Sequence, residues 1–111
     1  MIKIYGLIAK LKGCRNKDFL TDKSKLLSLL KKAAELMGST VFSEHAYEFE
    51  PQGISAVVIV GESHLAIHSW PEFDSAYLVV TVCKNGDLKK GVEFIERELG
   101  AEETEVKFLT V

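Results

Sequence analysis

The fold is decided by a continuous stretch that reads Ala56-Val57-Val58-Ile59-Val60-Gly61-Glu62-Ser63-His64-Leu65-Ala66-Ile67-His68-Ser69-Trp70-Pro71-Glu72. Its first five residues are all apolar, which is typical of a buried strand. The residues after Ser63 alternate, so that Leu65 and Ile67 take one face while both histidines take the other. In a straight strand, Ser63 and His68 would lie on opposite faces and could not meet. We therefore expect a kink near Gly61, which has no Cβ to restrict its backbone.

Length and composition predict one globular domain over residues 1–111. Hydrophobic residues make up 47% of the chain and charged residues 27%, which is ordinary for such a domain. The sequence has no apolar run of the roughly 20 residues needed to cross a bilayer, and its N-terminus has no signal-peptide pattern. We therefore expect a cytoplasmic protein with no membrane partner, whose Cys14 and Cys83 are reduced thiols.

Charge is distributed unevenly along the chain. Residues 1–40 hold nine lysines and arginines against three acidic residues, whereas residues 41–111 hold five against thirteen. Because the first group falls on an amphipathic helix without interleaved aromatic residues, a solvated helix face is favoured over nucleic-acid binding. The acidic remainder suits a cationic small molecule.

The pattern of elements predicts an α+β fold with the order β-α-β-β-β-α-β. Such an order is typical of a two-layer sandwich, in which an antiparallel sheet carries two helices on one face. The other sheet face needs a cover or a polar surface, so we expect a homodimer. The predicted strands cover 2–9, 40–49, 54–70 (one bent strand or a pair), 76–83 and the residues around 106–110. The predicted helices run from the cap at Thr21 or Asp22 to Met37, and from Asp87 to Gly100.

Residue types alone leave the chemistry of the polar cluster open. Ser63 does not stand in a Gly-X-Ser-X-Gly elbow, because Leu65 replaces the second glycine. The spacing of His64 and His68 suits a metal on a helix but not on a strand, so we expect no metal. A thiol hydrolase using Cys83 and His68 is a further alternative.

The cluster as a whole resembles a family signature, Glu-Ser-His-(Leu/Ile)-X-Ile-His-(Thr/Ser)-Trp-Pro-Glu. This signature belongs to the small prokaryotic S-adenosylmethionine decarboxylase proenzymes, which are pyruvoyl-dependent, and residues 62–72 match it. Cys83 stands at the family's spacing. The resemblance also extends upstream, where the family's Phe-X-Pro-X-Gly-Val-Ser-Gly-Val is similar to Phe49-Glu50-Pro51-Gln52-Gly53-Ile54-Ser55-Ala56-Val57.

The resemblance implies that the chain makes its own cofactor, a pyruvoyl group derived from Ser63. The chain would cleave between Glu62 and Ser63 into pieces of 62 and 49 residues. In this scheme the Ser63 hydroxyl attacks the carbonyl of Glu62, and the hydroxyl of Ser55 supports the intermediate. His68 then removes the Cα proton of Ser63, since an imidazole is a suitable base near neutral pH.

The resemblance also implies a reaction and its binding residues. The pyruvoyl carbonyl would accept the electrons released as CO2 leaves S-adenosylmethionine, which supplies spermidine synthesis. Cys83 would return a proton to the product. Phe49 and His68 would stack on adenine, Glu72 would bind the ribose hydroxyls, and Trp70 would form the pocket wall.

The substrate side of the chain departs from the family pattern. Lys10 stands where typical members have glutamate, and Phe73-Asp74-Ser75 replaces Tyr-Gly-Tyr. A lysine that reached the pocket would repel a sulfonium. The sequence therefore leaves three possible substrates, namely S-adenosylmethionine, arginine and ornithine. It also does not determine whether putrescine activates the enzyme. A third alternative is an unprocessed, non-catalytic module for dimerisation or ligand binding.

Overall fold

The computed structural model describes residues 2–61 and 63–111, and over these residues the chain forms six strands and three α-helices. They build the predicted α+β two-layer sandwich. The strands are β1 (Tyr5–Lys12), β2 (Val41–Glu48), β3 (Ile54–Val60), β4 (Ser63–Trp70), β5 (Ser75–Val82) and β6 (Glu103–Thr110). The helices are α1 (Asp18–Thr21), α2 (Lys23–Leu36) and α3 (Leu88–Leu99), and a 3₁₀ turn (Pro71–Phe73) follows β4.

The strands form one sheet in the order β2-β3-β4-β5-β1-β6, and every neighbouring pair is antiparallel. Alternate residues of the four central strands are buried, because α2 and α3 pack over one face of the sheet and against each other. The apolar run of residues 56–60 thus lies in the second strand from the edge. The largest buried side chains of this face include Leu7, Leu11, Ile54, Val58, Leu65, Ile67 and Leu78.

The predicted helix caps are confirmed. The Asp22 carboxylate accepts a hydrogen bond from the Lys25 amide at 3.1 Å at the start of α2. Asp87 accepts in the same way from the Lys90 amide at 3.0 Å at the start of α3. Gly100 ends α3 with φ of 65°, a left-handed conformation that glycine adopts without strain. No helix within the described ranges is long and apolar enough to span a membrane.

The predicted element order needs two corrections. Of the two alternatives for residues 54–70, the strand pair is correct, because Val60 pairs with Ser63 and the chain reverses between them. The sheet therefore has one strand more than the predicted order. The four-residue helix α1 was also missed, since a single helical turn is too short to show a 3.6-residue period.

Two predicted strands also differ in detail. Strand β1 runs over Tyr5–Lys12 rather than over residues 2–9, and its buried side chains extend to Leu11. Strand β2 lies at the sheet edge, where a register shift between Val41 and Ser43 interrupts its alternation. Most of its side chains are exposed, and only Val41 and Ala46 are half-buried.

Ser69 connects the two layers beneath the polar cluster. Its side chain is buried among apolar neighbours, and its hydroxyl donates to the Leu20 carbonyl of α1 at 2.8 Å. The same oxygen accepts a hydrogen bond from the Ile54 amide at 3.0 Å. These two bonds hold the end of β4 against β3 and α1, which makes this part of the sheet a rigid support for the side chains on its other face.

The other face of the sheet, which we call the open face, is not covered by any helix in the described residues. It carries the side chains that alternate with the core, including both histidines of β4. Several large apolar side chains on it are exposed. They include Ile8 (52% exposed), Leu109 (45%), Ile59 (42%) and Trp70 (41%).

Candidate active site

A hydroxyl-imidazole pair lies at one end of the open face. Ser55 of β3 and His68 of β4 are direct partners in the sheet register. The Ser55 Oγ and His68 Nδ1 atoms are 2.6 Å apart, and both side chains are half-buried. Burial lowers the pKa of His68 below its usual range. The imidazole is therefore neutral at neutral pH, which is the form that accepts a proton.

An aromatic row extends this pair across the sheet. Tyr77 of β5 lies opposite His68 in the register, and their ring centroids are 4.5 Å apart in a stacked arrangement. Tyr77 also stacks on Trp70, with centroids 5.0 Å apart. Tyr77 was not among the site residues predicted from the sequence. The alternation of β5 shows that Tyr77 faces away from the core, but only the strand register reveals that it contacts His68.

Phe49 and Glu72 belong to the same end of the sheet as His68. Phe49 follows β2, is 49% exposed, and meets the ring of Tyr47 edge-on at 4.9 Å between centroids. Tyr47 in turn pairs with Ser55 in the register. Glu72 lies in the 3₁₀ turn directly after β4 and is exposed. The residues expected to bind substrate thus lie at the same end of the sheet as His68.

A cleft of about 420 Å³ opens beside this cluster. Trp70, Phe73 and Tyr77 line it, and Lys10 lies on its wall directly opposite Tyr77 in the register. Lys12 also lines the cleft. It forms ion pairs of 2.9 Å with Glu103 and 2.8 Å with Glu105, and these carboxylates raise the pKa of Lys12.

A second polar cluster lies at the opposite end of the open face. Ser63 is the first residue of β4, and its Oγ is 2.6 Å from Oγ1 of Thr81 in β5. Thr81 pairs with His64 in the register, and its Oγ1 is 3.5 Å from the His64 Nδ1. All three side chains are half-buried. The Ser63 hydroxyl therefore reaches the histidine-bearing face, even though strand alternation would direct it to the core.

The two cysteines have different surroundings. Cys83 follows β5, two residues beyond Thr81, and lines a small pocket of about 150 Å³ together with Gly61 and Phe42. Its thiol is thus at the same sheet end as Ser63. Cys14 is buried, and burial together with Asp74 raises its pKa to about 11. Cys14 is therefore a protonated thiol within the core.

The two clusters do not meet within one chain. Strand β4 runs unbroken from Ser63 to Trp70, so Ser63 and His68 are separated by five residue steps, or roughly 17 Å. The turn at Gly61 does not fold Ser63 back onto His68. Cys83 is separated from His68 in the same way, which removes the single-chain thiol hydrolase. Glu62 lies outside the described residues, and the described residues contain no group of metal-ligating side chains.

The chain is similar in sequence to known decarboxylases. A family model described as S-adenosylmethionine decarboxylase matches residues 5–110. An S-adenosylmethionine decarboxylase proenzyme from Clostridium botulinum (strain Loch Maree / Type A3) is 36% identical over 106 residues, covering 93% of this chain and 89% of that protein. The proenzyme of the same name from Thermodesulfovibrio yellowstonii is 42% identical over 77 residues, covering 69% of this chain and 56% of that protein.

Solved structures agree with this similarity. The adenosylmethionine decarboxylase from Aquifex aeolicus VF5 matches with a TM-score of 0.86 and 25% identity, covering 97% of this chain and 89% of that one. The Trypanosoma brucei AdoMetDC-delta26 monomer shares the fold, with a TM-score of 0.64 and 14% identity over 96% of this chain and 45% of that one. The family and enzyme class expected from the sequence are therefore confirmed: the chain belongs to the S-adenosylmethionine decarboxylase family.

Proposed function

We propose that this chain is a self-processing, pyruvoyl-dependent decarboxylase that acts on S-adenosylmethionine. The observation that carries the proposal is the position of Ser63. Ser63 is the first residue of β4, directly after residue 62, and its side chain is half-buried. Cys83 lies at the same end of the sheet. Relatives that carry the name proenzyme support the same view.

The processing chemistry divides into an acyl shift and an elimination. In the first step the Ser63 Oγ bonds to the carbonyl carbon of Glu62 and the peptide C–N bond breaks, so that the freed amine takes a proton and an ester forms. In the second step His68 removes the Cα proton of Ser63, and the Cβ–O bond breaks to release the Glu62 carboxylate. The resulting dehydroalanine tautomerises to an imine. Water adds to the imine carbon and ammonia departs, so that a pyruvoyl group remains at the start of the chain from residue 63.

A second copy of the chain would bring the two clusters together. His68 cannot reach the Ser63 of its own chain, because the two lie at opposite ends of β4. The open face exposes large apolar side chains and carries both clusters. If two open faces meet in antiparallel orientation, the Ser55–His68 pair of one protomer approaches the Ser63 of its partner. We therefore infer a homodimer with two shared sites.

The residues around Ser63 and His68 suit the decarboxylation itself. The pyruvoyl group, once formed, supplies the electron sink for loss of CO2. The Cys83 thiol would donate the proton that replaces the carboxyl group. The aromatic faces near His68, including those of Phe49 and Trp70, offer stacking surfaces for a purine, and the exposed Glu72 carboxylate can accept hydrogen bonds from ribose hydroxyls.

Intact-mass measurement tests self-processing. The purified protein is expected to yield a 62-residue fragment and a 49-residue fragment with a pyruvoyl end. The Ser63→Ala variant should stay a single chain. Cleavage of Ser63→Ala at the same bond would contradict the nucleophile, and a parent protein that stays intact after prolonged incubation would identify the unprocessed binding module instead.

A mixed dimer tests whether the site is shared. Neither Ser63→Ala nor His68→Ala should cleave alone, because each lacks one essential group at every site. In a mixed dimer, however, the intact Ser63 of the His68→Ala chain meets the intact His68 of the other chain. The His68→Ala chain should therefore be cleaved only after mixing or co-expression. Absence of cleavage in verified mixed dimers would contradict the shared site.

Release of CO2 identifies the substrate. Processed protein is expected to decarboxylate S-adenosylmethionine faster than arginine or ornithine, and the product would serve aminopropyl transfer to make spermidine. The Cys83→Ala variant should cleave normally but release CO2 slowly. Faster release of CO2 from arginine or ornithine would mean that the protein is a pyruvoyl-dependent decarboxylase of that amino acid instead.

A further inference from the structure

We propose that Thr81 and His64 form a relay that activates the Ser63 hydroxyl for the acyl shift. This inference rests on the proposed self-processing and adds a step that the Ser55–His68 pair does not supply. A serine hydroxyl is a weak nucleophile unless a neighbouring group accepts its proton. Among the described residues of the same chain, the Thr81 Oγ1 lies 2.6 Å from the Ser63 Oγ, and the His64 Nδ1 lies 3.5 Å from the Thr81 Oγ1.

The fold fixes Thr81 in place for this role. Thr81 lies inside β5, between its partners His64 on β4 and Gly6 on β1, so both sides of its backbone are held in the sheet. A β-branched side chain in a strand has few χ1 rotamers, which holds its Oγ1 in one direction. Its 2.6 Å contact with Ser63 lies within the usual range of a hydroxyl–hydroxyl hydrogen bond.

The position of Ser63 explains why it uses a partner from the open face. It is the first residue of β4 and pairs with Val60 of β3, whereas pairing of β4 with β5 begins at His64. The direction of its side chain is therefore less constrained than that of later residues. Its hydroxyl therefore turns to Thr81 instead of pointing into the core with Leu65. This direction also presents the oxygen on the face where the second copy would bind.

The relay moves one proton in two short steps. As the Ser63 Oγ bonds to the carbonyl carbon of residue 62, its proton passes to the Thr81 Oγ1, and the Thr81 proton passes to the His64 Nδ1. When the C–N bond breaks, the same path returns a proton to the amine of residue 63. The 3.5 Å contact to His64 is long, and such contacts commonly tighten only when the reacting groups are in place.

The relay is tested by the rate at which the full-length precursor cleaves. The precursor is made by cell-free translation with a pulse of label, and its cleavage is followed by gel. Thr81→Val preserves shape but removes the hydroxyl, and it should slow cleavage at least tenfold. Thr81→Ser restores a hydroxyl and should cleave within about threefold of the parent. Thr104→Val, the same change on the helix-covered side of β6, is the matched control and should cleave at the parent rate.

Variants of His64 test the relay independently. His64→Asn keeps a polar atom near the Nδ1 position but not a base, and it should slow cleavage about tenfold. Because His64 acts through Thr81, the double variant His64→Asn/Thr81→Val should be no slower than Thr81→Val alone. Additive losses would contradict the relay.

Hydroxylamine, which cleaves esters much faster than peptide bonds, identifies the step affected. In His68→Ala, which blocks only the elimination, the ester should accumulate and hydroxylamine should release both fragments. In Thr81→Val the ester should not form, so hydroxylamine should have little effect. The relay is overturned if Thr81→Val cleaves as fast as the parent or if Thr81→Ser is equally slow. Failure of the parent itself to cleave would instead refute the proposed function.

Discussion

His68 is the residue whose environment matters most at the scale of single side chains. Burial lowers its pKa, and the Ser55 hydroxyl at 2.6 Å holds its ring in one orientation. A neutral imidazole in a fixed position is ready to remove a proton, so the function proposed for His68 requires no further conformational change of its own chain. Sequence resemblance singled out this residue, but its partner Tyr77 emerged only from the strand register.

The lowered pKa predicts how stability depends on pH. The unfolded imidazole titrates near its ordinary value of about 6.5, whereas the folded one takes up its proton at lower pH. Between the two values the unfolded state binds more protons, so stability should fall as pH decreases from about 7 through this window. NMR titration of His68 in Ser63→Ala should give a midpoint below 6.5, and thermal melts should show a weaker pH dependence for His68→Asn. A midpoint above 6.5 would contradict the desolvation argument.

Lys10 gives a second prediction at this scale. It lines the cleft beside Trp70 and Tyr77, so a cationic substrate bound in that cleft would meet a like charge. Lys10→Glu should therefore lower KM for the preferred substrate roughly threefold to tenfold, with little change in kcat, and added salt should reduce the difference. Lys32→Glu, on an exposed position of α2, is the control. An unchanged KM would mean that the Lys10 ammonium extends away from the bound substrate.

At the scale of elements, β4 is the structural centre of the site. One of its faces contributes Leu65 and Ile67 to the core, and the other carries the two histidines. The chain reversal after Gly61 divides the apolar stretch into two strands, which puts Ser55 directly opposite His68. The period-two pattern predicted both faces correctly, but it could not locate the reversal, because apolar strands on either side of a tight turn resemble one long strand.

Ser69 provides a test at the element scale. Its hydroxyl satisfies both the Leu20 carbonyl and the Ile54 amide inside the core. Ser69→Ala leaves these two buried groups without that partner, so it should lower the free energy of unfolding by about 1–3 kcal/mol. Ser75→Ala, whose hydroxyl bonds to the Phe73 carbonyl at an exposed position, should cost less. Denaturant titration compares them, and equal losses would mean that water replaces the Ser69 bonds.

At the scale of the whole molecule, the uncovered sheet face determines what a single chain can do. A sheet with helices on one face only leaves its other face to water or to a partner. Here that face is partly apolar and carries the Ser55–His68 pair and the Ser63 hydroxyl. Under the proposed function, a single chain would therefore hold two half-sites, and a complete site would need a second copy.

Association of the open faces is therefore expected to be necessary for cleavage. Ile8→Lys introduces a charge in the middle of the open face, where the isoleucine is 52% exposed. This change should convert a dimer to a monomer in sedimentation velocity and should abolish self-cleavage while the monomer stays folded. Ile2→Lys, at an exposed residue before β1, should change neither property. A monomeric Ile8→Lys protein that still cleaves would contradict the shared site.

The sequence by itself determined the α+β class, the helix caps at Asp22 and Asp87, the two faces of β4 and, through its resemblance, the family. These features depend on local patterns of period, capping and motif that are contained in short segments. Only the tertiary structure decided that Ser63 contacts Thr81, that Tyr77 stacks on His68, and that Ser63 and His68 lie apart in one chain. Those facts depend on where β4 starts and how it aligns with β3 and β5, and strand register is set by packing between segments that are distant in the sequence.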